Sequence, residues 1–177
     1  MLTEPLPSTM DVRKAAARGV SVTGAINPCD LRRFRELLVS DGGGIVADLS
    51  LSKDEENRCL IQVKVEADVE VLCQRCLSPM PVHLSTDNTL AVVWTDEQAS
   101  HLPRHLDALL AEEGACNLWE LVEEELILDL PPYSYHDTDA CKKILEAFSP
   151  QSPAEFAEEE KPNPFNVLEQ LKPGKKH

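Results

Sequence analysis

From residue 60 to residue 72 the chain alternates without a break. Ile61, Val63, Val65, Ala67, Val69 and Val71 share one parity, while Gln62, Lys64, Glu66, Asp68 and Glu70 hold the other. Successive side chains of a strand point to opposite faces, so a period of two sustained over this length specifies a pleated strand and no helix. One face is apolar and the other charged, which calls for a sheet with a dry side and a wet side. Cys73-Gln74-Arg75-Cys76 follows at once, and residues 79–94 return as a second extended segment through Val82, Leu84, Leu90, Val92 and Trp94. A connection this short makes the pairing antiparallel. Val46, Leu49 and Leu51 mark a further strand, joined through a polar turn at residues 53–57.

The flanks read as follows. Residues 1–12, with two prolines, are expected to be extended or loosely ordered. Residues 18–26 suggest a strand through Val20, Val22 and Ile26, with Gly24 as a bulge. Asn27-Pro28-Cys29-Asp30 starts a helix, because Asn27 caps and Pro28 fits the first helical position. Leu31, Phe34 and Leu38 give that helix its apolar stripe, up to the breaker at residues 41–44. Residues 95–116 are polar, a loop with a turn or short helix. Asn117, with Glu120 three residues on, resembles a capping box, and Pro131-Pro132 stops the helix it opens. A short helix is expected over residues 142–148. From residue 149 the chain is rich in Pro, Glu and Lys. We expect a single α+β domain over residues 1–148, its antiparallel sheet over residues 46–94 packed with two main helices near residues 31–39 and 118–128. Residues 149–177 would form a flexible tail. Within that tail, residues 161–172 form a short linear motif whose Phe165, Val167, Leu168 and Leu171 would dock on a partner or on the protein's own sheet.

Charge sorts the candidate partners. The net charge is −14, and residues 95–140 alone hold one basic and twelve acidic groups, whereas residues 1–40 are net +2. Such a field repels a phosphate backbone and attracts basic polypeptide, although a high charge also serves solubility alone. The basic group Arg13, Lys14, Arg18, Arg32, Arg33 and Arg35 offers a phosphate-binding surface, or else scattered surface charge. It has almost no aromatic side chain for base stacking. The apolar runs are far shorter than the roughly 20 residues of a membrane span. Residues 1–10 show no apolar targeting core, so a cytoplasmic location with reduced cysteines is expected.

Cys73-x-x-Cys76 is half of a tetrahedral zinc site, and His136 with Cys141 are the best candidates to complete it as a closed Cys3His structural site. The competing readings are small buried thiols in a plain turn and a redox pair, which more often opens a helix after a strand. Arg75 would touch RNA phosphate, pair with a carboxylate or stay solvated. Glu123, Glu124 and Glu125 point in different directions around a helix and read as a charged face, with Glu125 nearest the apolar stripe. His101 and His105 have metal-binding spacing, weakened by Pro103 between them.

Three segments together resemble the YceD family, the large ribosomal RNA subunit accumulation proteins. They are Leu72 to Cys76 after the alternating strand; Val122 to Pro131 followed by His136 and Cys141; and Lys161 to Leu168 with Leu171-Lys172. The resemblance spans nearly the whole chain and weakens before Asp41. It implies a role in synthesis, processing or stability of large-subunit (23S) ribosomal RNA. Family genes often sit beside one for a large-subunit ribosomal protein, which suggests that protein or a pre-ribosomal particle as partner. The family brings no catalytic residues to carry over. The expected function is a non-enzymatic ribosome-biogenesis factor binding a basic ribosomal protein, with direct RNA contact through Arg32, Arg33 and Arg75 as a variant. The alternative is a zinc- or thiol-dependent RNA-processing enzyme.

Overall fold

A computed structural model of the chain describes residues 4–111 and 115–148. In chain order the elements are β1 (Thr9–Asp11), α1 (Val12–Arg18), β2 (Ser21–Ile26), α2 (Arg32–Arg35), β3 (Gly44–Lys53), β4 (Cys59–Leu72), β5 (Pro79–Val93), α3 (Asp96–Ser100), β6 (Asp107–Leu110), β7 (Ala115–Asn117), α4 (Leu118–Asp129) and α5 (Asp139–Phe148). A 3-10 turn at Pro28–Asp30 precedes α2.

The alternating segment is the central strand of a five-stranded sheet ordered β2-β3-β4-β5-β6. Its apolar parity is dry throughout, and register carries that dryness sideways: Ile61 faces Leu51 and Leu90, and Ala67 faces Ile45 and Leu84. Val12, Ala15 and Ala16 of α1, Phe34 of α2, and Leu118, Leu121, Val122 and Leu126 of α4 close over this face in one continuous core. The class is α+β, as the pattern requires. The other face stays open among the described residues. Across it run the carboxylates Asp48, Glu66, Asp68, Glu70 and Asp87, with Lys64 bound to Asp87 at 3.1 Å.

Several local expectations change. A helix, α1, stands where loose chain meets the expected strand. Asp11 caps it by accepting from the Lys14 amide at 3.0 Å, and Ala15-Ala16-Ala17 are strong helix formers. Gly24 is no bulge, since it pairs regularly with Ala47. A Cβ there would sit 2.6 Å from the Leu6 backbone, so glycine is what lets residues 4–6 lie close against β2, where Pro5 bridges Ala25 in parallel. The helix expected near residues 31–39 shrinks to the single turn α2, because Leu31 is extended (φ −101, ψ 91) and divides it from the 3-10 turn. Leu31 and Phe34 are buried all the same. The polar stretch after β5 contributes β6, which pairs parallel to residues 90–93 and gives the sheet one parallel edge. β1 pairs with β7 and ties the N-terminal segment to the start of α4. The tail and its motif with Phe165 and Leu168 lie outside the described residues.

Candidate metal centre

Residues 73–78 turn β4 into β5. The Cys73 amide donates to the Ser78 carbonyl at 3.0 Å and the Leu77 amide donates to the Cys73 carbonyl at 2.9 Å, closing a tight loop. The loop places Leu77 at φ +56, a conformation that L side chains disfavour. Below it, Pro131-Pro132 end α4 and release a loop that folds back. The Gln74 amide donates to the Ser134 carbonyl at 2.9 Å, and its side-chain amide donates to the Pro132 carbonyl at 3.4 Å. Thr138 then starts α5, its hydroxyl accepting from the Cys141 amide at 3.4 Å.

These three pieces bring Cys73, Cys76, His136 and Cys141 together, with all four ligand atoms within 4.8 Å of one another. Cys73 and Cys141 are buried, and Cys76 and His136 are half-buried. The Cys73 and Cys141 sulfurs lie 3.7 Å apart. A tetrahedral zinc ion with Zn–S bonds of about 2.3 Å places its sulfur donors about 3.8 Å from each other. Nδ1 of His136 lies 3.2 Å from the Cys76 sulfur, and Nε2 lies 3.1 Å from the Pro79 carbonyl. That carbonyl only accepts, so Nε2 carries a proton and Nδ1 faces the sulfurs, and without a second proton on Nδ1 this is the orientation a metal-bound imidazole requires.

Electrostatics favour metal-ready sulfurs. Burial pushes the Cys73 thiol up, but the amides of Cys76, His136 and Arg75 outweigh it and bring it down to about 5. Cys76 is likewise lowered against its burial, chiefly by the Ser78 amide. His136 is raised by Cys73 and Cys76. Cys141 is raised by burial and by its two cysteine neighbours. Amides aimed at cysteine sulfur from within a C-x-x-C loop are what a metal knuckle needs.

The other sequence candidates divide. Arg33 is consumed: its Nε donates to Glu123 at 3.0 Å and its Nη1 to Glu124 at 2.8 Å. Arg35 pairs with Asp41 at 2.6 Å and Arg13 stacks over Trp94, so of the N-terminal cations Arg18 and Arg32 stay in solvent without an ion pair among the described residues. Arg75 is half-buried and pairs with no carboxylate among the described residues; its guanidinium stacks over Tyr135 at 4.9 Å. His101 and His105 form no shared helical face, because α3 stops at Ser100 and Nδ1 of His101 turns back to the Glu97 carbonyl.

The charged face expected of Glu123 to Glu125 holds at Glu124 alone: Glu125 turns inward, in keeping with its place nearest the apolar stripe, and so does Glu123. Glu123 and Glu125 are 5% and 4% exposed. Glu123 accepts from the Arg33 and Phe34 amides at 2.7 and 3.1 Å and so caps α2 from another helix, while Glu125 accepts from Asn88. Nothing local signalled the cap. The absence of a capping side chain at Leu31 was the readable hint.

A family profile described as Large ribosomal RNA subunit accumulation protein YceD matches residues 61–172. The Large ribosomal RNA subunit accumulation protein YceD of Haemophilus influenzae is 34% identical over 169 residues, covering 94% of this chain and 96% of that relative. No solved structure matches.

Proposed function

The chain belongs to the YceD family, and from that premise we propose that it supports accumulation of large-subunit ribosomal RNA as a non-enzymatic assembly factor in the cytoplasm, docking a basic ribosomal protein or a pre-ribosomal particle that carries one. The observation that carries this reading is the open sheet face. Asp48, Glu66, Asp68, Glu70 and Asp87 stand there against a single lysine. A naked phosphate backbone is repelled by such a surface, and a lysine- or arginine-rich segment is attracted. The acid excess of residues 95–140 contributes less than its count implies, because Glu123 and Glu125 point inward. The direct-RNA variant loses Arg33 to its two glutamates.

The cluster of Cys73, Cys76, His136 and Cys141 holds a structural Zn2+ in this reading. Four protein donors fill a tetrahedral ion and leave no position for substrate, which sets the site apart from three-ligand catalytic centres. Zinc would clip the loop after α4 and the start of α5 to the hairpin tip.

The test is affinity capture from cells with the full chain, washed over a salt series, with protein and RNA both identified. Recovery of large-subunit proteins that fades with salt, and its loss in E66K/D68K/E70K, is the expected outcome. Salt-resistant capture of bare ribosomal RNA with no ribosomal polypeptide, unaffected by the triple reversal, refutes the reading. RNA cleavage by metal-replete protein, abolished by Cys73→Ser, would return the enzyme.

A further inference from the structure

Arg75 is placed at odds with ordinary arginine behaviour. It lies between two ligand cysteines in sequence and is half-buried. Its Nη1 is 4.0 Å from the Cys141 sulfur, its guanidinium rests on the Tyr135 ring, and its Nε is sealed from solvent with no acceptor. No carboxylate among the described residues comes within 4.0 Å of it; Asp137, in the neighbouring loop, is bound to Lys142 at 2.6 Å and feels the Arg75 charge only from farther off. A guanidinium cannot shed its charge, and a sealed N–H without an acceptor is costly.

The metal complex has the opposite deficit. Zn2+ bound by three thiolates and a neutral imidazole carries one net negative charge, and partly buried charge is disfavoured unless an opposite charge lies close by. The permanent charge of the guanidinium lies beside that site, with Nη1 4.0 Å from the Cys141 sulfur. We propose that Arg75 is the counter-cation of the three-thiolate metal complex, donating to the Cys141 thiolate and held in place by stacking on Tyr135. It deepens the Cys3His zinc reading and rests on it. Arg75 is a positioning residue, not a ligand. It favours a divalent ion carried as a monoanionic complex.

The experiment uses the full chain, stripped of metal under reductant and titrated with Zn2+ against a chelating indicator, with Co2+ as the spectroscopic probe. Loss of a ligand-orienting partner around a metal typically weakens binding about 10–100-fold, so R75M is expected to fall in that range. R75K keeps the charge and should recover most of the loss. Tyr135→Ala changes an exposed ring, leaves the fold alone and should weaken binding in the same direction by less, which keeps the test alive if R75M does not fold. In cobalt-loaded R75M the sulfur-to-metal charge-transfer absorption should drop as Cys141 leaves the coordination sphere. Wild-type affinity and an unchanged cobalt spectrum in R75M, or in Y135A where R75M is not recovered, overturn the role of Arg75 alone. A wild-type chain that takes up neither metal overturns the zinc reading and this inference together.

Discussion

Removing the Glu123 carboxylate should unfasten the two helices over the sheet. Glu123 is 5% exposed and accepts three bonds: the Arg33 amide at 2.7 Å, the Phe34 amide at 3.1 Å and Arg33 Nε at 3.0 Å. Loss of an N-cap acceptor costs about 0.5–2 kcal/mol. The Arg33 side chain is 51% exposed, so water screens its share to about 0–1 kcal/mol. Glu123→Ala should therefore cost about 2 kcal/mol, with Glu124→Ala, on the exposed side of the same arginine, below about 0.5 kcal/mol. For a chain of this size 2 kcal/mol lowers Tm by about 4–8 °C. The pH dependence adds a second check with a fixed sign. Burial pushes the Glu123 carboxyl up, but the Phe34 and Arg33 amides and the Arg33 guanidinium outweigh it and hold it below its ordinary 4.5. A carboxylate lowered by folding stabilises above its unfolded pKa and stops doing so as pH falls through its folded one. The gap between wild type and Glu123→Gln should be constant above about pH 5 and close below it. Urea unfolding of the three variants from pH 3.5 to 7.5 measures both effects. Equal losses for Glu123→Ala and Glu124→Ala, or a gap that widens on acidification, would refute the capping role.

Leu77 is 69% exposed at φ +56, so Leu77→Gly relieves left-handed strain at little cost in packing. It should stabilise by about 0.5–1 kcal/mol, read as a rise in the urea midpoint. Gly24→Ala drives a methyl to within 2.6 Å of the Leu6 backbone and should cost about 1–3 kcal/mol. Amide exchange should speed up at Leu6 and Ala25, whose amides donate to Ala25 and Glu4 in that parallel bridge.

Much of the architecture was readable because it is written locally. The parity of residues 60–72 appears unchanged in the burial of β4. Asn117 caps α4 through the Trp119 and Glu120 amides, and the helix ends two residues before Pro131. The grouping of four was legible in residue type, since Cys73-x-x-Cys76 announces a half-site and His136 and Cys141, its best candidate complement, lie within 4.8 Å of it. What escaped is set by contacts distant in sequence. The cap on α2 comes from a residue 90 positions away. The reason for Gly24 lies in Leu6, which local pattern cannot place. The parallel partner of residues 90–93 is a four-residue edge strand too short to declare itself. Only α1 was locally visible and passed over: Asp11 before an Ala15-Ala16-Ala17 run is a start signal followed by good helix formers.

The cluster of Cys73, Cys76, His136 and Cys141 is where fold and proposed function meet, since an ion held there would fix the loop after α4 and the first turn of α5 on the hairpin tip. The most direct measurement is native mass spectrometry of the full chain purified under reductant, followed by hydrogen exchange before and after chelation. One zinc ion per chain is predicted. Its removal should expose the Gln74, Cys141 and Lys142 amides to exchange while β3, β4 and the paired part of β5 stay protected. A chain with no stoichiometric metal, or one whose amides at those three positions ignore chelation, would contradict the account.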